Sequence, residues 1–277
     1  MGWSLARRTV GLLLLAAGHA SAQAVTLQIK PHPGDTLRMR LDQESEMTGV
    51  RHTKFGESSA MVVNNMQMFS RAIVEGYADH ATTLLAVTDS VLIASSDERE
   101  RMAATTAEQR MRGQSVRFRV SPDGTVGMNE TAGGAPREVA EVVSLMPAAF
   151  PKERIKVGES WSRDMPMPTG EQFGAQLSGK LHVTFRLDSV THAGNWAFVS
   201  MRGEMQPASG PGAASGMVLE KGMVDGTMLV DQKRGWLTES WFSIVVSSVT
   251  TPPPSSGVLS MHVQMRVTQH MVTLPRR

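Results

Sequence analysis

The stretch LSMHVQMRVTQHM, residues 259–271, alternates almost without a break. Leu259, Met261, Val263, Met265, Val267 and Met271 are apolar, and Ser260, His262, Gln264, Arg266, Thr268 and His270 between them are polar. Successive side chains on a β-strand point to opposite faces, so this is the pattern of a strand with one face in a core and the other in water. Lys180 to Val190 repeats it, with Leu181, Val183, Phe185 and Leu187 against His182, Thr184, Arg186 and Asp188. Thr36 to Met47 begins the same way, with Leu37, Met39 and Leu41 opposite Arg38, Arg40 and Asp42.

Turn chemistry falls between such runs. Ser121-Pro122-Asp123-Gly124, His192-Ala193-Gly194-Asn195, Lys233-Arg234-Gly235 and Gly76-Tyr77-Ala78-Asp79 each offer residues suited to tight turns, so consecutive strands should be antiparallel hairpin neighbours. Residues 209–216 and 252–257 read as looser connections rich in small residues or proline. The charged stretch Asp97 to Arg112 lacks a clean period and reads as a mobile loop with at most one or two helical turns. One amphipathic helix is expected after Pro136, where Val139, Val142, Val143, Met146 and Phe150 form a single apolar stripe opposite Arg137, Glu138 and Glu141. Pro147 and Pro151 end it. The expected fold is therefore mainly β: large curved antiparallel sheets, as a half-barrel or as two related β-sheets, with helix 136–150 packed on the apolar face.

The chain also echoes itself. Gly34-Asp35-Thr36 leads into a strand, as does Gly158-Glu159-Ser160-Trp161. The hairpin Gln67 to Ser90 is matched by Lys180 to Met205, and Gln114 to Met128 by Thr227 to Trp241. One β-rich domain over residues 23–277 is expected, read as two related halves, about 25–132 and 152–275, joined by the helix.

The first residues set the compartment. Arg7 and Arg8 precede Val10, Leu12, Leu13, Leu14, Leu15, Ala16 and Ala17, and Ala20-Ser21-Ala22 follows. That is a basic region, a short apolar core and an A-x-A cleavage site, the pattern of a secretory signal. The apolar run is about half of the roughly 20 residues that span a bilayer. Cleavage near Ala22 and a periplasmic or secreted, soluble mature protein are expected, with no transmembrane segment. Removing residues 1–22 takes two of the 28 basic residues and no acid, which leaves 26 basic against 26 acidic residues. A neutral mature chain gives no reason to expect nucleic acid as a partner. Without any cysteine there is no disulfide framework and no acylation site for a lipoprotein anchor, so the fold must rest on its core.

Pro33-Gly34-Asp35-Thr36 before the first long strand, Val116 to Val126 with its Pro-Asp-Gly turn, the helix, and Phe150-Pro151 followed by Val157-Gly158-Glu159-Ser160-Trp161 together resemble an uncharacterised family of bacterial exported proteins and lipoproteins known only as a domain of unknown function. The resemblance spans roughly residues 27–250 and implies no activity. This chain departs from the lipoprotein members in having no cysteine. Strands, a central helix and further strands also look like the curved half-barrel of periplasmic lipoprotein carriers, a similarity of architecture alone.

No catalytic, metal or nucleotide signature emerges. Gly158-Glu159-Ser160-Trp161-Ser162 lacks the second glycine of a nucleophile elbow and opens a strand, so Gly158 is expected to shape a turn and Trp161 to pack in the core. His262 and His270 share a face but are separated by eight residues of strand, roughly 27 Å, too far for one ion. His182 on a wet face, and His80 and His192 in turns, read as surface residues. Methionine is the oddity, at 20 residues. Met66 with Met68, and Met165 with Met167, have the spacing that points two thioethers the same way, as a soft copper(I) site would need. The competing reading is that methionines such as Met39, Met261 and Met265 fill irregular core space, or line a cavity for an apolar ligand. Trp236 and Trp241, five residues apart, should face opposite sides of one strand, with edge-of-core packing for both or with one in the core and the other exposed at a binding surface.

These readings point to a non-enzymatic exported protein that needs no cofactor. It would bind a lipid or other apolar ligand, or an envelope protein partner, in the concavity of its sheet, with Val139, Val142, Val143, Met146 and Phe150 as plug or lid. The alternatives are a structural or interaction module with a packed core, and copper(I) binding through methionine.

Overall fold

A computed structural model describes residues 24–53, 56–128, 150–166, 179–191, 194–207, 217–250 and 260–275. The strands are β1 (Thr36–Thr53), β2 (Gly56–Ala78), β3 (Ala81–Ser95), β4 (Ser115–Val120), β5 (Val126–Met128), β6 (Ser160–Pro166), β7 (Gly179–Val190), β8 (Trp196–Pro207), β9 (Met217–Asp231), β10 (Trp236–Thr250) and β11 (Met261–Thr273). They form one antiparallel sheet in the order β5-β4-β3-β2-β1-β11-β10-β9-β8-β7-β6. The chain winds outward from β1 to one edge, crosses to β6 at the other, and returns strand by strand until β11 pairs with β1. The expected mainly β, curved antiparallel architecture is the one observed, as a single unclosed sheet.

The alternating runs lie in phase across it. Val91, Met68, Leu41, Met271, Ser240, Met228, Val199 and Leu187 are direct register partners from β3 to β7. All eight are buried, so they make one continuous row on the inner face. The next row runs Ile93, Met66, Gln43, Gln269, Phe242, Gly226, Met201, Phe185 and Trp161. Its two amides share one hydrogen bond, Gln269 Nε2 donating to Gln43 Oε1 at 3.2 Å, and Trp161 stacks on Phe185 at 5.4 Å.

The sheet rolls because short segments tie its distant parts together at one end. Ile29 N–H donates to the Pro122 carbonyl after β4, and Lys30 N–H to the Gly235 carbonyl before β10, both at 2.8 Å. In a flat sheet five strand spacings, about 24 Å, would separate β4 from β10. Two adjacent residues cannot reach that far, so the strand ends converge. Phe150 joins the two edges in the same way: its N–H donates to the Asp123 carbonyl beside β5 at 2.7 Å, and its own carbonyl accepts from Arg163 Nη2 on β6 at 3.0 Å. Val25 and Ile155 form a two-bond bridge, and Val25, Leu27, Ile29, Phe150 and Ile155 are buried as a plug in this closed end. The lead-ins to β1 and β6 make matching bonds, Gly34 N–H and the Asp35 carbonyl to Val74, Gly158 N–H and the Glu159 carbonyl to Leu187.

Several expectations change. Asp97 to Arg112 is not a loop: α1 (Glu98–Met111) is a helix, capped by the Asp97 side chain accepting from Arg99 N–H at 2.8 Å, with acids in its first turn and Arg110 in its last. Its less exposed positions are Glu100, Ala104, Ala107, Glu108 and Met111, a stripe too poor in large apolar residues to register as a period. The expected helix lies outside the described residues except for Phe150, which is non-helical and fully buried. The turn placed at Gly76 sits later, at Asp79-His80, both in the left-handed region, and Gly76 instead borders a bulge opposite β3. The connections around 209–216 and 252–257 also lie outside the described residues.

Candidate functional site

The inner face is the candidate site, and methionine defines its character. Met39, Met66, Met68, Met201, Met205, Met228, Met265 and Met271 all belong to the core or pack against it. Concave curvature crowds the side chains of neighbouring strands, and glycine relieves the crowding. A Cβ on Gly226 would meet Met201 Cε, and one on Gly222 would meet Met205, so these methionines lie across the glycines of the adjacent strand. Unbranched thioethers suit such irregular space.

Burial is graded along the strands. The plug end holds the fully buried Leu27, Leu37, Leu84, Leu187 and Phe150. Toward the opposite rim Met66, Ile93, Met165 and Leu219 are only partly buried, and Met47, the register partner of Met265 on the inner face, is 43% exposed. Polar groups gather there on β1, β2 and β3, where Ser45, Asn64 and Ser95 are register partners. Asn64 Nδ2 donates to Glu100 Oε2 at 3.0 Å, and Ser95 Oγ meets the same oxygen at 3.3 Å, which seats α1 against this face. α1 also covers a strand edge. β4 pairs with β3 only as far as Val87, and beyond it Ile93 N–H is capped by Glu108 Oε1 at 2.6 Å.

Of the sequence-derived site residues, Met66 and Met68 share the inner face of β2, and Met165 packs against the same core from β6. Val139, Val142, Val143, Met146 and Met167 lie outside the described residues. Phe150 is part of the plug rather than a lid stripe. Trp236 and Trp241 do not face opposite sides: the register shift between Leu237 and Glu239 pairs Leu237 with the buried Val230, so both tryptophans fall on the outer phase of β10, Trp236 3% exposed beside the β9–β10 turn and Trp241 39% exposed. Leu27 and Ile29 were missed as core residues, although Val25, Leu27 and Ile29 alternate in the sequence.

The outer face is polar and carries histidine–carboxylate pairs: His182 with Asp164 at 2.7 Å, His270 with Glu239 at 2.8 Å and His262 with Glu220 at 3.8 Å. The hydrogen bond from His182 holds the Asp164 carboxyl below its usual range, against opposing desolvation. On the same pair of strands Ser162 Oγ is bonded to Thr184 Oγ1 at 2.9 Å. Among the described residues no three His, Cys, Asp or Glu side chains converge as a metal site, and no helix is long and apolar enough to cross a membrane. Among the described residues, recesses open to solvent include three. One of about 400 Å³ crosses Glu44, Gln67, Leu92 and His270, one of about 540 Å³ lies over His182, Arg186 and Arg202, and one of about 480 Å³ adjoins Arg38, Arg71 and Pro275.

No family model matches the chain, and no curated protein matches it. Among solved structures it is similar to lipovitellin, in a structure concerned with lipid–protein interactions, at 11% identity and a TM-score of 0.47 over 90% of this chain and 26% of that one. The chain thus spans about a quarter of the lipovitellin chain. A second similarity is to DynF from the dynemicin biosynthesis pathway of Micromonospora chersina, at 9% identity and a TM-score of 0.20, covering 97% of this chain and 94% of that one. What this chain does has to be read from its own geometry.

Proposed function

We propose that the chain is a non-enzymatic exported protein whose curved sheet receives the apolar part of a ligand, an acyl chain of a lipid, at the rim facing away from the plug. The observation that carries this reading is the gradient of burial on a methionine-rich inner face: sealed around Leu27 and Phe150, and partly exposed at Met47, Met66, Ile93 and Met165. Flexible thioethers accept apolar partners of varied shape, and ligand sites are concave, apolar and sparing in polar groups. The signal-like leader and the resemblance to an exported family fit an envelope role.

The test is extraction and mass spectrometry of lipid from protein purified without detergent, wild type beside Met66→Lys. Lipid bound to the wild type and depleted in the variant is expected; a clean wild-type extract would sink the proposal. One observation favours the second reading, a structural or interaction module: among the described residues, recesses open to solvent lie on the outer face and beside the closed end, and the Met201–Gly226 and Met205–Gly222 contacts fill inner space. A clean extract is the result that module requires.

A further inference from the structure

The turn from Asp231 to Trp236, which joins β9 to β10, concentrates buried hydrogen-bond donors. Arg234 Nε and Nη2, Gln232 Nε2 and Trp236 Nε1 are all buried and have no hydrogen-bond partner among the described residues. Every one of these atoms can only donate. One oxygen of the turn's own carboxylate caps the turn's backbone, since Asp231 Oδ1 accepts from Lys233 N–H at 3.0 Å and Arg234 N–H at 2.9 Å. The backbone is held by Gln232 N–H donating to the Asn195 carbonyl at 2.9 Å and by the Gly235 carbonyl accepting from Lys30 at 2.8 Å. Leaving such donors unmatched costs more than a typical made bond returns, and most of all for a charged group.

The chemistry that matches them is visible elsewhere in the same molecule. Arg117 uses the same two atoms, Nε and Nη2, to hold the two carboxylate oxygens of Glu75 at 2.7 and 2.8 Å. That fork fits the oxygen spacing of a carboxylate or phosphate and gives the strongest class of protein hydrogen bond. We propose that the β9–β10 turn is an oxyanion-binding site in which the Arg234 fork takes two oxygens of a carboxylate or phosphate, with Gln232 Nε2 and Trp236 Nε1 as the turn's further donors. The anion is either a small free ion or the headgroup of an amphiphile.

The test follows the indole N–H signals of isotope-labelled, full-length protein by NMR, with Trp236 assigned from Trp236→Phe. Inorganic phosphate, acetate and octanoate are titrated separately, with octanol as the neutral control. At least one anion should shift the Trp236 indole saturably while octanol does not, and Arg234→Gln should weaken that binding at least about tenfold. Arg234→Lys should not restore it, since an ammonium keeps the charge but not the fork. Octanoate binding at least about tenfold tighter than acetate assigns the site to an amphiphile headgroup; equal binding assigns it to a small ion. No saturable shift with any of the three anions, or an unchanged affinity in Arg234→Gln, overturns the proposal. Should Arg234→Gln fail to unfold cooperatively, Gln232→Leu carries the same test, and an unchanged affinity there overturns it equally.

Discussion

Replacing Gly235 with alanine tests whether the N-terminal segment really draws the sheet into a roll. Gly235 sits at φ +61°, and a Cβ there would lie 2.5 Å from the Lys30 carbonyl oxygen, 2.7 Å from its carbon and 3.0 Å from its nitrogen. The left-handed backbone alone costs alanine about 1–2 kcal/mol. The clash is with backbone, which cannot rotate away, and overpacking of this kind costs about 1–3 kcal/mol more. Gly34 supplies the control, with φ +85° and nothing within 4 Å of a built Cβ, so Gly34→Ala should carry the conformational cost alone. Urea unfolding of both variants should therefore differ by about 1–3 kcal/mol, or several degrees in thermal midpoint at about 2–4 °C per kcal/mol for a chain of this size. Equal losses would mean that Lys30 is not seated against the β9–β10 turn, and the convergence of β4 and β10 argued from that contact would fail with it.

Two further perturbations read the other contacts. Glu108→Ala removes the cap on Ile93 N–H, so hydrogen exchange at that amide should quicken about fivefold, for a loss of about 1 kcal/mol; unchanged protection would show that α1 does not guard the β3 edge. The Asp164 carboxyl is lowered in the folded state, so its contribution to stability is present above the ordinary carboxylate range and is lost as pH falls through the lowered value. His182→Ala should move the Asp164 titration, followed by carbon NMR, up toward the ordinary range, and an unmoved titration would remove His182 as the cause.

The inner face was legible because it is written locally. Leu181, Val183, Phe185 and Leu187 alternate with polar neighbours and are all buried, and the odd-numbered residues from Met265 to Thr273 follow the same rule. Where local signals competed, the reading slipped. Gly76 looked like a turn residue, but β2 runs on to Ala78 and the bend falls at Asp79-His80. α1 went unread because its sheet-facing stripe is alanine and glutamate, whose role depends on the edge of β3 that it covers. The histidine–carboxylate pairs depend on register: His182 and Asp164 become neighbours only once β7 is laid against β6.

The pairing of β1 with β11 has no local signature at all, yet it makes one sheet out of the two runs of strands. Met39 meets Thr273 and Arg51 meets Met261, so each bond in that ladder closes most of the chain into a loop. Contacts of such sequence separation form late and slowly, because the entropy of closure is lost before any pairing is gained. Until β11 docks, β1 and β10 each have an unpaired edge, and the buried row from Val91 to Leu187 is cut in two. The methionine-lined inner face therefore exists as one surface only after the last strand has been added, and the plug segment, whose Ile29 and Lys30 N–H groups donate to the Pro122 and Gly235 carbonyls on either side of the sheet, can seal its end only then. A sequence that writes each strand clearly can leave its closure unwritten, because closure is a property of the register between strands that are furthest apart.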